Sequence, residues 1–171
     1  MIVRRIRADD ADLLRTVRLR ALEDSPQAFA STFAEESALL PADWVRRATR
    51  DAAGSGSALF IALDGDDPVG MAGGFEPKDR GDERHLWGMW VAPEARRGGV
   101  GQALAGAVID WASRAGATGV TLWLAEGNAP AAALYEQLGF TATGRRQPLP
   151  SHPGVMEQFL LKEIENPGPP T

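Results

Sequence analysis

The chain has 171 residues, 44% of them hydrophobic, and a formal charge of −5 at pH 7, which suits one globular domain, expected over 1–164, with a tail over 165–171 that has nothing to bury. The absence of cysteine excludes a disulfide framework and thiolate chemistry, and two histidines are too few for a multi-histidine centre, so no metal is expected. The negative balance disfavours nucleic acid and anionic membrane as partners, and the lack of a long apolar run or a secretory leader predicts a cytoplasmic protein.

IVRRIR, residues 2–7, alternates as a short strand. Asp9 or Asp10 is placed to cap the helix that follows, on which Leu13, Leu14, Val17 and Leu22 recur near helical spacing. Ser25-Pro26 breaks this helix. AFASTFAEESALL (28–40) and ADWVRRATRDA (42–52) then read as two shorter helices carrying Phe29, Phe33, Leu39 and Trp44, and GSGS at 54–57 ends them. ALFIAL (58–63) and VGMAGGF (69–75), joined by the turn-forming DGDDP, predict an antiparallel pair. A polar loop around 78–82 leads to a third strand over Arg84–Val91. From there strand and helix alternate: Leu104, Val108 and Trp111 mark a helix face, VTLWLA (120–125) is a strand, and APAAALYEQLGF (129–140) is a helix ended by Gly139. Phe140–Gly144 and Val155–Ile164 supply two closing strands. No internal repeat is visible.

Between the third strand and its helix lies RRGGVG, residues 96–101. Glycine permits backbone conformations and close approaches that a side chain blocks, exposing several backbone N–H groups at the start of the helix. Successive amides and the positive end of the helix dipole favour a phosphate or pyrophosphate, and Arg96 and Arg97 can add charge-assisted contacts. A plain strand-to-helix turn uses the same residues, so context must decide. Neither of two familiar phosphate loops fits, because there is no Gly-Lys-Ser/Thr and the G-x-G-x-x-G spacing is absent.

The longer pattern VAPEARRGGVGQAL resembles the acyl-coenzyme A loop of the GNAT superfamily of N-acetyltransferases. The family pattern is Arg or Gln, two residues, Gly, one residue, then Gly or Ala, and Arg96, Gly99 and Gly101 fill it in order. Downstream, VTLWLAEGNAPAAALYEQLGF is similar to the family's next strand and helix, with Asn128, Ala131, Leu134, Tyr135 and Gly139-Phe140 in place. The resemblance covers 59–140, and the order of elements extends it over 1–164. It implies an α/β fold of the α+β type: a mixed, mostly antiparallel central sheet, flanked by helices, whose two central parallel strands splay apart around acetyl-CoA as co-substrate. Those strands would be Arg84–Val91 and Gly119–Ala125. Backbone groups of Met89, Trp90 and Val91 would pair with the pantetheine arm much as an added strand would. Arg96, Arg97, Gly98, Gly99, Val100, Gly101 and Gln102 would wrap the pyrophosphate, and Asn128 would add a further contact. The activity implied is N-acetyl transfer to a primary amine of a small molecule or peptide. The alternative is a non-catalytic acyl-CoA-binding or sensing domain that keeps the loop.

Acyl transfer needs a neutral amine, although amines of the lysine type have a pKa near 10, so a base or a water chain must remove a proton. It also gains from an acid near the leaving sulfur, and a tyrosine hydroxyl is protonated at pH 7. Tyr135 is the candidate acid, seven residues and two helical turns after Asn128; each has a plainer reading, Tyr135 as a core aromatic and Asn128 as an N-cap. Glu126 is the first candidate base, on the face of Val120, Leu122 and Leu124 if strand alternation holds, with Glu83, His85 or water as alternatives. His85 is expected to share a face with Trp87, Met89 and Val91. By resemblance, the acceptor side is formed by the early helices and the 145–153 loop, so Phe29, Phe33, Trp44, Trp87 and His152 are candidates. Glu35 and Glu36 read as exposed helix charges. The closing strands offer a surface for a homodimer.

Overall fold

A computed structural model describes residues 1–165, so the tail expected at 165–171 lies, beyond Glu165, outside the described residues. Seven strands form one sheet in the order β1-β2-β3-β4-β5-β7-β6. They are β1 (Ile2–Arg5), β2 (Ser57–Asp64), β3 (Asp67–Phe75), β4 (Glu83–Val91), β5 (Gly119–Ala125), β6 (Thr141–Leu149) and β7 (His152–Glu163). Neighbours are antiparallel except β4 and β5, which gives the expected mixed sheet with one parallel pair. The flanking helices are α1 (Ala11–Asp24), α2 (Phe33–Ser37), α3 (Pro41–Asp51), α4 (Val100–Arg114) and α5 (Ala129–Gln137). None among the described residues is long and apolar enough to cross a membrane.

The core forms on both sides of β3, which is buried from Pro68 to Gly74. Its small residues let helices approach closely. α4 lays Leu104, Val108 and Trp111 on one face, and α1 lays Leu14, Val17 and Ala21 on the other, backed by Trp44 and Ala48 of α3. Each fully buried side chain of this kind contributes about 1.5–3 kcal/mol. Spacing on α1 and α4 was therefore sufficient to identify the faces that pack.

Three local expectations are corrected. The helix expected over 28–40 contracts to a 3-10 turn at Pro26–Ala28, an extended stretch and α2. Thr32 stops it from starting earlier: its hydroxyl accepts from Glu35 N at 3.2 Å while the Glu35 carboxylate accepts from Thr32 N at 3.0 Å, a reciprocal cap that needs an extended backbone at Thr32. Phe29 is consequently buried and Phe33 is exposed. Asp10 occupies the N-cap position of α1 without capping it, because its carboxylate instead accepts from Arg4 at 2.6 and 3.1 Å and from Arg7 N at 2.7 Å. The 145–153 segment, expected as a loop, is largely strand, since β6 runs to Leu149 and β7 starts at His152.

Candidate functional site

β4 and β5 pair at only three positions, Glu83 with Gly119, Arg84 with Val120 and His85 with Thr121. Beyond them the strands part, leaving β4 from Leu86 onward with a backbone edge that no strand satisfies. On its other side the register with β3 slips, because Gly73 pairs with Trp87 but Met71 pairs with Trp90. Gly88, at φ +64°, takes up the extra residue as a bulge. The bulge overturns the expected alternation: Trp90, rather than Met89, continues the face of Trp87, and Val91 turns to the opposite face, toward Gly101 of α4.

The 96–101 turn follows. Arg97 (φ +67°) and Gly99 (φ +80°) both have left-handed backbone, which gathers neighbouring amides on one side. No side chain among the described residues caps α4, and the first hydrogen bond into it runs from Ala103 N to Gly99 O at 3.0 Å. The amides ahead of Ala103 therefore lack intrahelical partners at the positive end of the dipole. A Cβ at Gly99 would meet nothing within 4 Å, whereas one at Gly101 would stand 3.2 Å from Leu134 of α5. The turn is open on its outer side at Gly99 and packed against α5 at Gly101.

Its two arginines differ. Arg97 is exposed and makes no side-chain hydrogen bond or ion pair among the described residues. Arg96 is committed: Nε donates to Val91 O at 2.9 Å and Nη2 to Asp24 at 2.6 Å. Asp24 also accepts from Trp90 Nε1 at 2.9 Å and Ser25 Oγ at 2.7 Å. Partial burial opposes the Asp24 charge, but these donors and Arg96 outweigh it and hold the carboxyl below the usual range. Arg96 thus braces the end of β4 against the end of α1, and the Val91 carbonyl, expected to face pantetheine, belongs to that brace.

On α5, Asn128 Oδ1 accepts from Ala131 N at 3.2 Å and so caps the helix. Tyr135 is 5% exposed and lies edge-on to Phe140 with ring centroids 5.5 Å apart. Its hydroxyl makes no hydrogen bond among the described residues and is not among their fully sealed, unpartnered atoms. Burial pushes the phenol pKa up, so it remains a proton donor at neutral pH. Glu126 lies on the face of Leu124 and Gln158, where Arg146 binds it at 2.6 and 2.9 Å. Arg146 holds its carboxyl below the usual range. A carboxylate gripped by a guanidinium on the face opposite His85 and Trp123 is a poor proton acceptor, so this geometry does not support Glu126 as the base. Glu83 pairs with Arg80 at 3.3 Å where the strands are still joined. His85 Nδ1 bonds Thr121 Oγ1 at 2.9 Å; burial, aided by the Arg80 charge, brings its pKa down to about 4, so it is neutral at pH 7.

On the His85 face, a cleft of about 310 Å³ opens at the splay, lined by Arg18, Phe29, His85, Trp87, Trp123, Glu157 and neighbouring residues. Phe29 and Trp87 meet there as expected, together with the β6–β7 hairpin. Phe33 and Trp44 do not line it, Trp44 being core, and His152 Nδ1 bonds Ser151 Oγ at 3.0 Å. Glu36, read as exposed, is 4% exposed and binds Arg18 at 2.8 and 3.0 Å and Arg47 at 3.1 Å; Glu35 is exposed and serves the α2 cap. Two charged lining residues were missed, Arg18 and Glu157. Their signal was a charge on an apolar face, Arg18 between Leu14 and Ala21 and Glu157 two residues from Phe159.

The sequence profile of the acetyltransferase (GNAT) family matches residues 19–140. Over 83 residues the chain is 40% identical to the [ribosomal protein bS18]-alanine N-acetyltransferase of Escherichia coli (strain K12), a match covering 47% of this chain and 55% of that protein. The chain thus spans about half the length of the curated relatives it matches. Its fold is similar to that of an acetyltransferase of the GNAT family from Streptococcus pneumoniae (TM-score 0.80, 18% identity, 96% of this chain and 99% of that one). It is also similar to a Salmonella typhimurium protein solved with its cofactor acetyl-CoA (TM-score 0.79, 16% identity, 100% and 98%).

Proposed function

Since the chain belongs to the acetyltransferase (GNAT) family, we propose that it is an acetyl-CoA-dependent N-acetyltransferase acting on a primary amine of a small molecule or peptide. The observation that carries this reading is the adjacency of an uncapped α4 N-terminus, an unpartnered Arg97 and the unpaired edge of β4. The amides from Arg97 to Gln102 hold the pyrophosphate, Arg97 adds charge, and β4 backbone from Met89 to Trp90 pairs with the pantetheine arm. Asn128 orders the start of α5 beside them. Acetyl-CoA supplies an activated acyl carbon, to which the amine nitrogen bonds as the carbon–sulfur bond breaks, the amine losing a proton and the sulfur gaining one. Tyr135 donates toward the departing sulfur. The proton leaves the amine to water, since His85 is too weak a base at pH 7 and Glu126 is ion-paired. The acceptor enters from the His85 face, opposite the pyrophosphate turn.

The test is acetyl-CoA-dependent thiol release over a panel of polyamines, aminoglycosides, amino acids and peptides with free N-termini, including alanine. Release above a no-acceptor control is expected for at least one class. Silence across the panel, in protein that binds acetyl-CoA by calorimetry, would overturn transfer in favour of a binding domain.

A further inference from the structure

Glu157 stands out in the cleft at the splay. It is 6% exposed, yet the one side-chain hydrogen bond to its carboxylate among the described residues comes from a neutral group, Gln147 Nε2, at 2.7 Å on Oε1. No ion pair among the described residues reaches it. A buried carboxylate usually has a cation or several donors to replace its lost water. Its second oxygen has no partner and is absent from the fully sealed, unpartnered side-chain atoms, which are Arg18 Nη1 and Trp44 Nε1, so Oε2 remains open to the cleft.

The surroundings point to one kind of ligand. Arg18, the other fixed charge in the lining, is held by two bonds to Glu36, a carboxylate that Arg47 also binds. His85 is neutral at pH 7. Trp87 and Trp123 supply aromatic walls, and aromatic faces attract cations. Arg145, with its guanidinium 5.3 Å from the Trp123 centroid, does not line the cleft. Glu157 is therefore a buried carboxylate without an ion-pair partner among the described residues, in an aromatic pocket beside the unpaired edge of β4. We infer that Glu157 binds the acceptor as a cationic ammonium group and selects amines over uncharged or acidic acceptors. This rests on the transfer reading above and adds to it the residue that recognises the acceptor.

Glu157→Gln retains the oxygen that accepts from Gln147 and removes only the charge, while Glu157→Asp retains the charge on a shorter stem. Calorimetry would measure binding of spermidine, tyramine and an alanine-initiated peptide to wild type and both variants, alongside acetyl-CoA binding and the thermal midpoint. The expected result is a loss of amine affinity of at least tenfold in Glu157→Gln, partial recovery in Glu157→Asp, and acetyl-CoA affinity within twofold throughout. With any amine that turns over, KM should rise by the same factor while kcat changes less. Amine binding unchanged in Glu157→Gln, or absent from wild type for every probe, would overturn the inference. Thiol release by the wild type is read separately: binding that depends on Glu157 without transfer would overturn the transferase reading alone.

Discussion

Tyr135, proposed as the acid, carries a buried hydroxyl whose surroundings bear on that role. A phenol placed only for packing would, when buried, normally find a hydrogen-bond partner, and this one has none among the described residues. Replacing Tyr135 by Phe removes the donor without breaking a bond within the fold. Turnover should fall about a hundredfold, with acetyl-CoA affinity and the thermal midpoint little changed, as steady-state kinetics, calorimetry and a melting curve would show. Undiminished turnover would leave Tyr135 as a packing residue. Glu126 teaches the converse. Its place after β5 made it a candidate base, and a single partner twenty positions away, Arg146, ties up both of its oxygens.

At the scale of elements, the turn between β4 and α4 divides its labour. Arg97 is free to meet an anion, whereas Arg96 spans from Val91 to Asp24 and so holds two elements together. Arg97→Ala should weaken acetyl-CoA binding about tenfold or more, the worth of a charge-assisted hydrogen bond, while leaving the melting point of the free protein unchanged. Arg96→Ala should lower that melting point as well, because it strips Asp24 of its cation. Equal melting points for the two variants would contradict the brace. The bulge at Gly88 works alongside, turning Trp90 toward Asp24 and Val91 toward α4 so that one strand serves both faces.

For the whole molecule, pH links the cleft to stability. The His85 pKa falls from 6.5 to about 4 on folding. Its contribution is therefore complete above pH 6.5 and is lost as pH falls toward 4, where the unfolded chain binds a proton that the fold refuses, a total of about 3 kcal/mol. Asp24 and Glu36, held below their ordinary values, lose their contributions at lower pH still. Urea unfolding at intervals from pH 7.5 to 4.5 should show stability level down to about pH 6.5 and declining below it. His85→Asn, which keeps a donor for Thr121, should flatten the curve, and parallel curves for the two proteins would refute the assignment.

Local chemistry in the chain was enough to specify the presence and order of the strands, though not the bounds of the closing pair, together with the packing faces of α1 and α4 and the glycine turn ahead of α4. Periodicity, caps and glycine spacing act over a few residues and leave their record there. The family resemblance from 59 to 140 added the splayed pair and the acetyl-CoA loop. Tertiary structure alone decided the rest. The Gly88 bulge depends on the register between β3 and β4, and the Glu126–Arg146 and Arg18–Glu36 pairs join residues twenty and eighteen positions apart. Glu157 acquires its meaning only because β7 lies beside β5 and turns it into the cleft. Whether a charge is solvated, neutralised or left for a ligand depends on what surrounds it in space, and neighbours in space are not written as neighbours in the chain.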